Sequence, residues 1–190
     1  MYLFFDTETA DLPRRRDVPV SDVRNWPRVV QLAWVPCDSK GNPGTPHAYL
    51  IKPDGFVISR GAFEQHGIST EKAVANGVPL KPVLHEFFEA VQAASVVVAY
   101  NVDFDAKVVG TEFIRTGIPN VLDRKELRCT MKESTEYCKL PGNYGYKWPT
   151  LNELHTILFG ESLGDAHDAT ADCLACMRCF FRLKELNVIR

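Results

Sequence analysis

No apolar run in this chain of 190 residues approaches the roughly 20 that a membrane-crossing helix needs, so the sequence offers no spanning helix. Internal repeats and low-complexity tracts are missing too, which removes repeat arrays and compositionally disordered chains. Strong charge of one sign is lacking: 22 basic against 24 acidic residues leave a net charge of −2. That balance argues against a protein holding nucleic acid by charge alone. A disulfide framework is lacking as well. Cys37, Cys129, Cys138, Cys173, Cys176 and Cys179 are irregularly placed, as expected of reduced thiols in a cytoplasmic protein. The N-terminus enters a strand-like run directly, so nothing in these residues points to secretion. What is present is an ordinary globular balance, 45% hydrophobic and 24% charged, enough for one domain over residues 1–190 with a full core.

Strands are predicted at residues 1–7, 29–35 and 47–52, the last two joined as a hairpin through the turn formers of DSKGNPGTP. Helical patterning follows near 62–66, after a Ser69 cap, and at 82–94. The continuous apolar run 95–100 reads as a strand covered on both faces. Asp103 then reads as the cap of a helix reaching Thr116, closed by Gly117. A short strand is expected near 127–130 and an exposed loop over 139–149. Thr150 and Glu153 form a capping box for a helix that Gly160 ends, and a last helix runs from Asp168 to about Glu185. This order implies a mixed α/β sheet with helices on both faces.

Asp6 and Glu8 are two apart on a strand and project from one side, at the C-terminal end where open sheets bind ligands. Two carboxylates there raise each other's pKa unless cations are bound, and oxygen-only donors favour Mg²⁺ or Mn²⁺. A solvated strand exit is the plain alternative. Asp105 sits in a first helical turn, where the dipole favours an anion whether or not it has chemistry to do. His167 belongs on the turn entering the last helix, with Asp172 about one turn inside it. Cys173, Cys176 and Cys179 recur every three residues and read as a buried helical stripe rather than a zinc or iron–sulfur site.

Together these segments resemble the three motifs of the DnaQ-like (DEDDh) 3′–5′ exonucleases. Asp6-Thr7-Glu8-Thr9 matches D-x-E-T, Asn101 to Asp105 matches H-N-x-x-F-D, and His167 to Asp172 matches H-x-A-x-x-D. His66-Gly67-Ile68-Ser69 is similar to the family's H-G-I-T stretch. Departures are Tyr100, where the family often has histidine, and the long PRRRDVPVSDVRNWP stretch between the first two strands.

The resemblance implies a ribonuclease H-like five-stranded mixed sheet, with Asp6, Glu8, Asp105 and Asp172 holding two divalent cations and His167 as general base. It implies Thr7, Thr9 and Asn101 on the substrate side, with Leu12 and Phe104 as wedges against a terminal base. Arg14–Arg16 would contact phosphates or form a solvated basic loop. The expected partner is nucleic acid with a free 3′ end, single-stranded, with DNA favoured over RNA. A polymerase or repair partner is an option, although the chain ends about a turn past its last helix and leaves no tail for docking. The rival readings are an RNA-trimming enzyme, a phosphatase-like metallohydrolase, and a non-catalytic interaction module.

Overall fold

The computed structural model describes residues 1–164 and 168–190. Strand β1 (Tyr2–Thr9) lies at the centre of a five-stranded sheet with β2 (Val29–Cys37), β3 (His47–Leu50), β4 (Val96–Ala99) and β5 (Glu126–Cys129), in the order β3-β2-β1-β4-β5. The β1–β2 and β2–β3 pairs are antiparallel, while β4 runs parallel to both β1 and β5. This is the mixed sheet expected.

Alternation along β1 divides the core. Leu3 and Phe5 face one side, packing with Val83, Leu84 and Phe87 of helix α3 (Leu80–Ala93) and with Val108, Val109 and Phe113 of α4 (Val102–Thr116). The short helices α1 (Arg60–His66) and α2 (Thr70–Asn76) precede α3. Phe4 faces the other side with Val35 and Val98, against Leu154 of α6 (Leu151–Phe159) and Cys173, Cys176 and Phe180 of α7 (Ala169–Glu185). Phe4 and Phe180 meet edge to face at 5.5 Å between centroids. Each such fully buried ring contributes roughly 1.5–3 kcal/mol of transfer energy.

The capping box forms as its spacing predicts: Thr150 accepts from the Glu153 amide, and the Glu153 carboxylate accepts from the Thr150 amide. Gly117 and Gly160 end their helices in the left-handed region, where a Cβ would be strained. Two expectations need correction, and one helix was not expected. Asp103 is not the cap of α4. Asn101 occupies that place, and Asp103 lies within the first turn, paired with Lys132. Residues 130–138 form a helix, α5 (Thr130–Cys138), that a sequence rich in Ser, Thr and Glu did not announce; its buried face is Thr130, Met131 and Ser134. The expected loop over 139–149 contains a two-stranded ribbon, β6 (Pro141–Gly142) with β7 (Gly145–Tyr146).

Residues 11–28, between β1 and β2, form no helix or strand, yet they are tied down. Buried Asn25 exchanges side-chain bonds with the Arg15 backbone, accepting from its amide and donating to its carbonyl. Arg115 of α4 donates to the carbonyls of Val23, Trp26 and Pro27. Fully buried Glu112 accepts from Arg28, Arg115 and the Val29 amide, which holds the end of this segment to α4.

Candidate metal centre and nucleic-acid groove

The alternation that divides the core also divides the acidic residues. Asp6 and Glu8 share the face of Phe4, toward α7, and Thr7 shares the face of Phe5, toward α4. On the α7 side, carboxylate oxygens of Asp6, Glu8 and Asp172 all lie within 4.8 Å of one another. On the α4 side, the Thr7 hydroxyl donates to Asp105 Oδ1 at 2.7 Å. Asp105 is buried and stands outside that closest trio, though near enough for its charge to act on Asp6 and Glu8. His167 lies outside the described residues.

Burial, and after it the charges of Asp105, Glu8 and Asp172, hold the Asp6 carboxyl well above its ordinary range. Burial first and Asp172 next push Glu8 up to about 8. Asp105 is pushed up to about 7 by burial, against the opposing bond from Thr7. A protein gains nothing in stability by crowding carboxylates this way; the arrangement makes sense when positive charge joins them. The donors are all hard oxygens, and they fit a cation such as Mg²⁺ or Mn²⁺. Among the described residues no other group has such geometry. The cysteine stripe is core instead: Cys173, Cys176 and Cys179 are buried beside Phe4 and Phe180, and burial raises all three thiols above their ordinary value.

One supporting residue, Gln31, was not singled out by sequence. Gln31 is cross-strand partner to Glu8, a polar residue in an apolar strand. Its side chain accepts from the Ala169 amide and donates to Asp168, joining the start of α7 to β2. Asp168 is the cap of α7, as expected, accepting from the amides of Thr170 and Ala171. The register of β1 against β2 shifts between Glu8 and Thr9, an irregularity of the kind that re-aims side chains beside active sites. His66 Nδ1 accepts from the Ile68 amide, which leaves Nε2 to donate to the Thr9 carbonyl and brace the strand end.

Beside the acidic cluster opens a groove of about 350 Å³ lined by Leu12, Trp26, Asn101, Phe104, Lys132 and Trp148, with Arg16, Asp103 and Lys107. Leu12 is 71% exposed and therefore not a core residue, while Phe104 packs partly on the core. Thr7 and Thr9 do not line the groove; both are buried, with the Thr9 hydroxyl donating to the Asp11 carbonyl. Their hydroxyls bond within the protein, Thr7 to Asp105 and Thr9 to the Asp11 carbonyl. Of the arginine run, Arg15 pairs with Asp17 and Arg16 reaches the groove.

Comparison with known proteins bears on the family and the fold. The exonuclease family model (RNase_T) matches residues 3–180. The chain belongs to this family, the DnaQ-like 3′–5′ exonucleases. The fold superposes on Escherichia coli exonuclease I in a zinc-bound complex with single-stranded DNA, with a TM-score of 0.77 at 23% identity over 97% of this chain. A complex of that enzyme with a dT13 oligonucleotide gives 0.77 and 23% over 98%. Exonuclease I of Methylocaldum szegediense gives 0.76 and 21% over 97%. The chain spans 40%, 42% and 40% of the lengths of these three structures. No curated protein sequence matches significantly. Among the described residues no helix is long and apolar enough to cross a membrane.

Proposed function

We propose that this chain hydrolyses phosphodiester bonds at the 3′ end of single-stranded nucleic acid, with DNA favoured, and releases nucleoside 5′-monophosphates. The reading rests above all on the trio of Asp6, Glu8 and Asp172 within 4.8 Å beside a groove lined by Leu12, Phe104 and Trp148. DNA is favoured because the exonuclease I structures of the same fold hold single-stranded DNA, including dA16 and dT13. Residues 1–190 act as one domain, and six free thiols support a cytoplasmic location.

Two divalent cations, Mg²⁺ or Mn²⁺, would be held by Asp6, Glu8, Asp105 and Asp172, and when bound they supply Lewis acidity toward water and the scissile phosphate. Glu8 also accepts from the terminal 3′-hydroxyl. Thr7 keeps Asp105 oriented through its hydroxyl. His167 takes the proton from the attacking water, the role its place in the third motif implies. Leu12 and Phe104 bracket the terminal base with apolar surface, and Asn101 joins them at the groove.

Digestion of a 3′-labelled single strand in Mg²⁺ tests this. Asp6→Ala and Asp172→Ala should each lower the rate by at least about 10²–10³-fold, the scale of losing one group that stabilises developing charge. Circular dichroism should show the fold retained. Undiminished cleavage in either variant sinks the reading, and faster digestion of RNA than of DNA of the same sequence moves the substrate to RNA.

A further inference from the structure

The groove wall formed by Trp148 comes from none of the motif segments. Of the three tryptophans, Trp26 and Trp34 are 4% and 1% exposed, whereas Trp148 is 55% exposed. Its backbone is pinned on both sides. The Tyr100 hydroxyl donates to the Pro149 carbonyl at 2.6 Å, and Thr150 is locked in its capping box. Upstream, the Lys147 amide donates to the Leu140 carbonyl, closing the β6–β7 ribbon. An exposed indole on an ordered backbone gives up little conformational entropy when it meets a flat ligand.

Its surroundings select the ligand. The lining combines the apolar faces of Leu12 and Phe104 with three basic residues, Arg16, Lys107 and Lys132. The Lys132 ammonium lies 5.8 Å from the Trp148 ring centroid while paired with Asp103. The ribbon before Trp148 carries Tyr144 and Tyr146, both exposed. Aromatic faces interleaved with cations are how proteins hold single strands without reading sequence, the bases stacking and the phosphates meeting positive charge. Phe104 of the groove lining is the chain neighbour of Asp105 in the first turn of α4.

We propose that Trp148 is a base-stacking residue for the strand near its 3′ end, and that Tyr100 is the positioning residue that sets the indole in the groove. The inference rests on the proposed function only for the identity of the occupant, a single-stranded nucleic acid. It also gives a use to Tyr100, the position where the second motif departs from its family pattern.

The experiment uses the full chain in Mg²⁺ with a 5′-labelled oligothymidylate whose phosphorothioate linkages resist hydrolysis. Binding is followed by anisotropy of the label, and stacking by quenching of tryptophan fluorescence, whose exposed source is Trp148. The expected result is quenching that saturates with binding, and none from a backbone of the same length lacking bases. Trp148→Leu should abolish quenching and weaken binding about 5- to 150-fold, the range for loss of one base–aromatic stack. Trp148→Phe should keep most of the affinity. Tyr100→Phe should weaken quenching and raise KM with kcat nearly unchanged. Binding without quenching, or unchanged affinity in Trp148→Leu, overturns the stacking role and leaves the exonuclease reading intact. Failure of the unaltered chain to bind or hydrolyse any strand overturns both.

Discussion

Each acidic residue at the end of β1 carries a different part of the electrostatic load. Glu8 is pushed up to about 8 and Asp105 to about 7, chiefly by burial. Their unfolded values lie near about 4. Protons on these carboxyls therefore stabilise the cation-free fold fully below about pH 4, and that contribution is lost as pH rises through about 7 to 8. Exposed carboxylates with lowered pKa, such as Asp38 and Glu153, lose their contribution only at the acid end and do not overlap this window. With chelator present, the melting temperature should fall by on the order of 5–10 °C between about pH 5 and pH 8.5. Adding Mg²⁺ should restore more of it at the higher pH, because cations bind ionised carboxylates. Scanning calorimetry at both pH values checks this; an equal Mg²⁺ effect at both would contradict a cation site built from these groups. At this scale much was legible in the sequence. The spacing of Asp6 and Glu8 set them on one face, and their flanking apolar run made them a strand end. The destination of the Thr7 hydroxyl was not legible, because its partner Asp105 is 98 residues away.

At the scale of elements, the placement of α7 decides whether Asp172 reaches Glu8. Gln31 ties the start of that helix to β2 through Ala169 and Asp168. Gln31→Ala should cost about 1 kcal/mol of stability. It should also weaken the dependence of the rate on Mg²⁺ by about 10- to 100-fold, as loss of a support behind metal ligands does elsewhere. A Mg²⁺ titration of activity reads this directly, and an unshifted half-saturation would remove Gln31 from that role. Helix boundaries with strong local chemistry, such as the Thr150–Glu153 box and the Asp168 cap, were readable because the capping bonds span only two or three residues. Asp103 misled for the same reason. A capping residue type stood in the right region, but Asn101 began the helix and Asp103 found Lys132 on α5. Helix α5 itself escaped notice because its buried face holds Thr130 and Ser134, which do not register as apolar periodicity.

For the whole molecule, the long segment between β1 and β2 is part of the architecture rather than an appendage. Fully buried Glu112 holds Arg28 and Arg115, and Arg115 in turn holds three carbonyls of that segment. Removing one partner of a buried ion pair leaves the others charged without compensation. Glu112→Ala should therefore lower unfolding free energy by about 3–5 kcal/mol in urea denaturation. A loss under about 1 kcal/mol would show that solvent already screens this cluster.

The sequence by itself determined the periodicities and the caps: which strand residues alternate, where helices open and close, and which carboxylates stand at strand and helix ends. These follow from bonds and sterics among near neighbours. Only the tertiary structure decided that Asp172 meets Asp6 and Glu8, that Thr7 serves Asp105, and that Tyr100 holds Pro149 and so sets Trp148 in the groove. Those contacts join residues dozens of positions apart, and no local preference encodes them. They exist because the two faces of one central strand are buried against different helices.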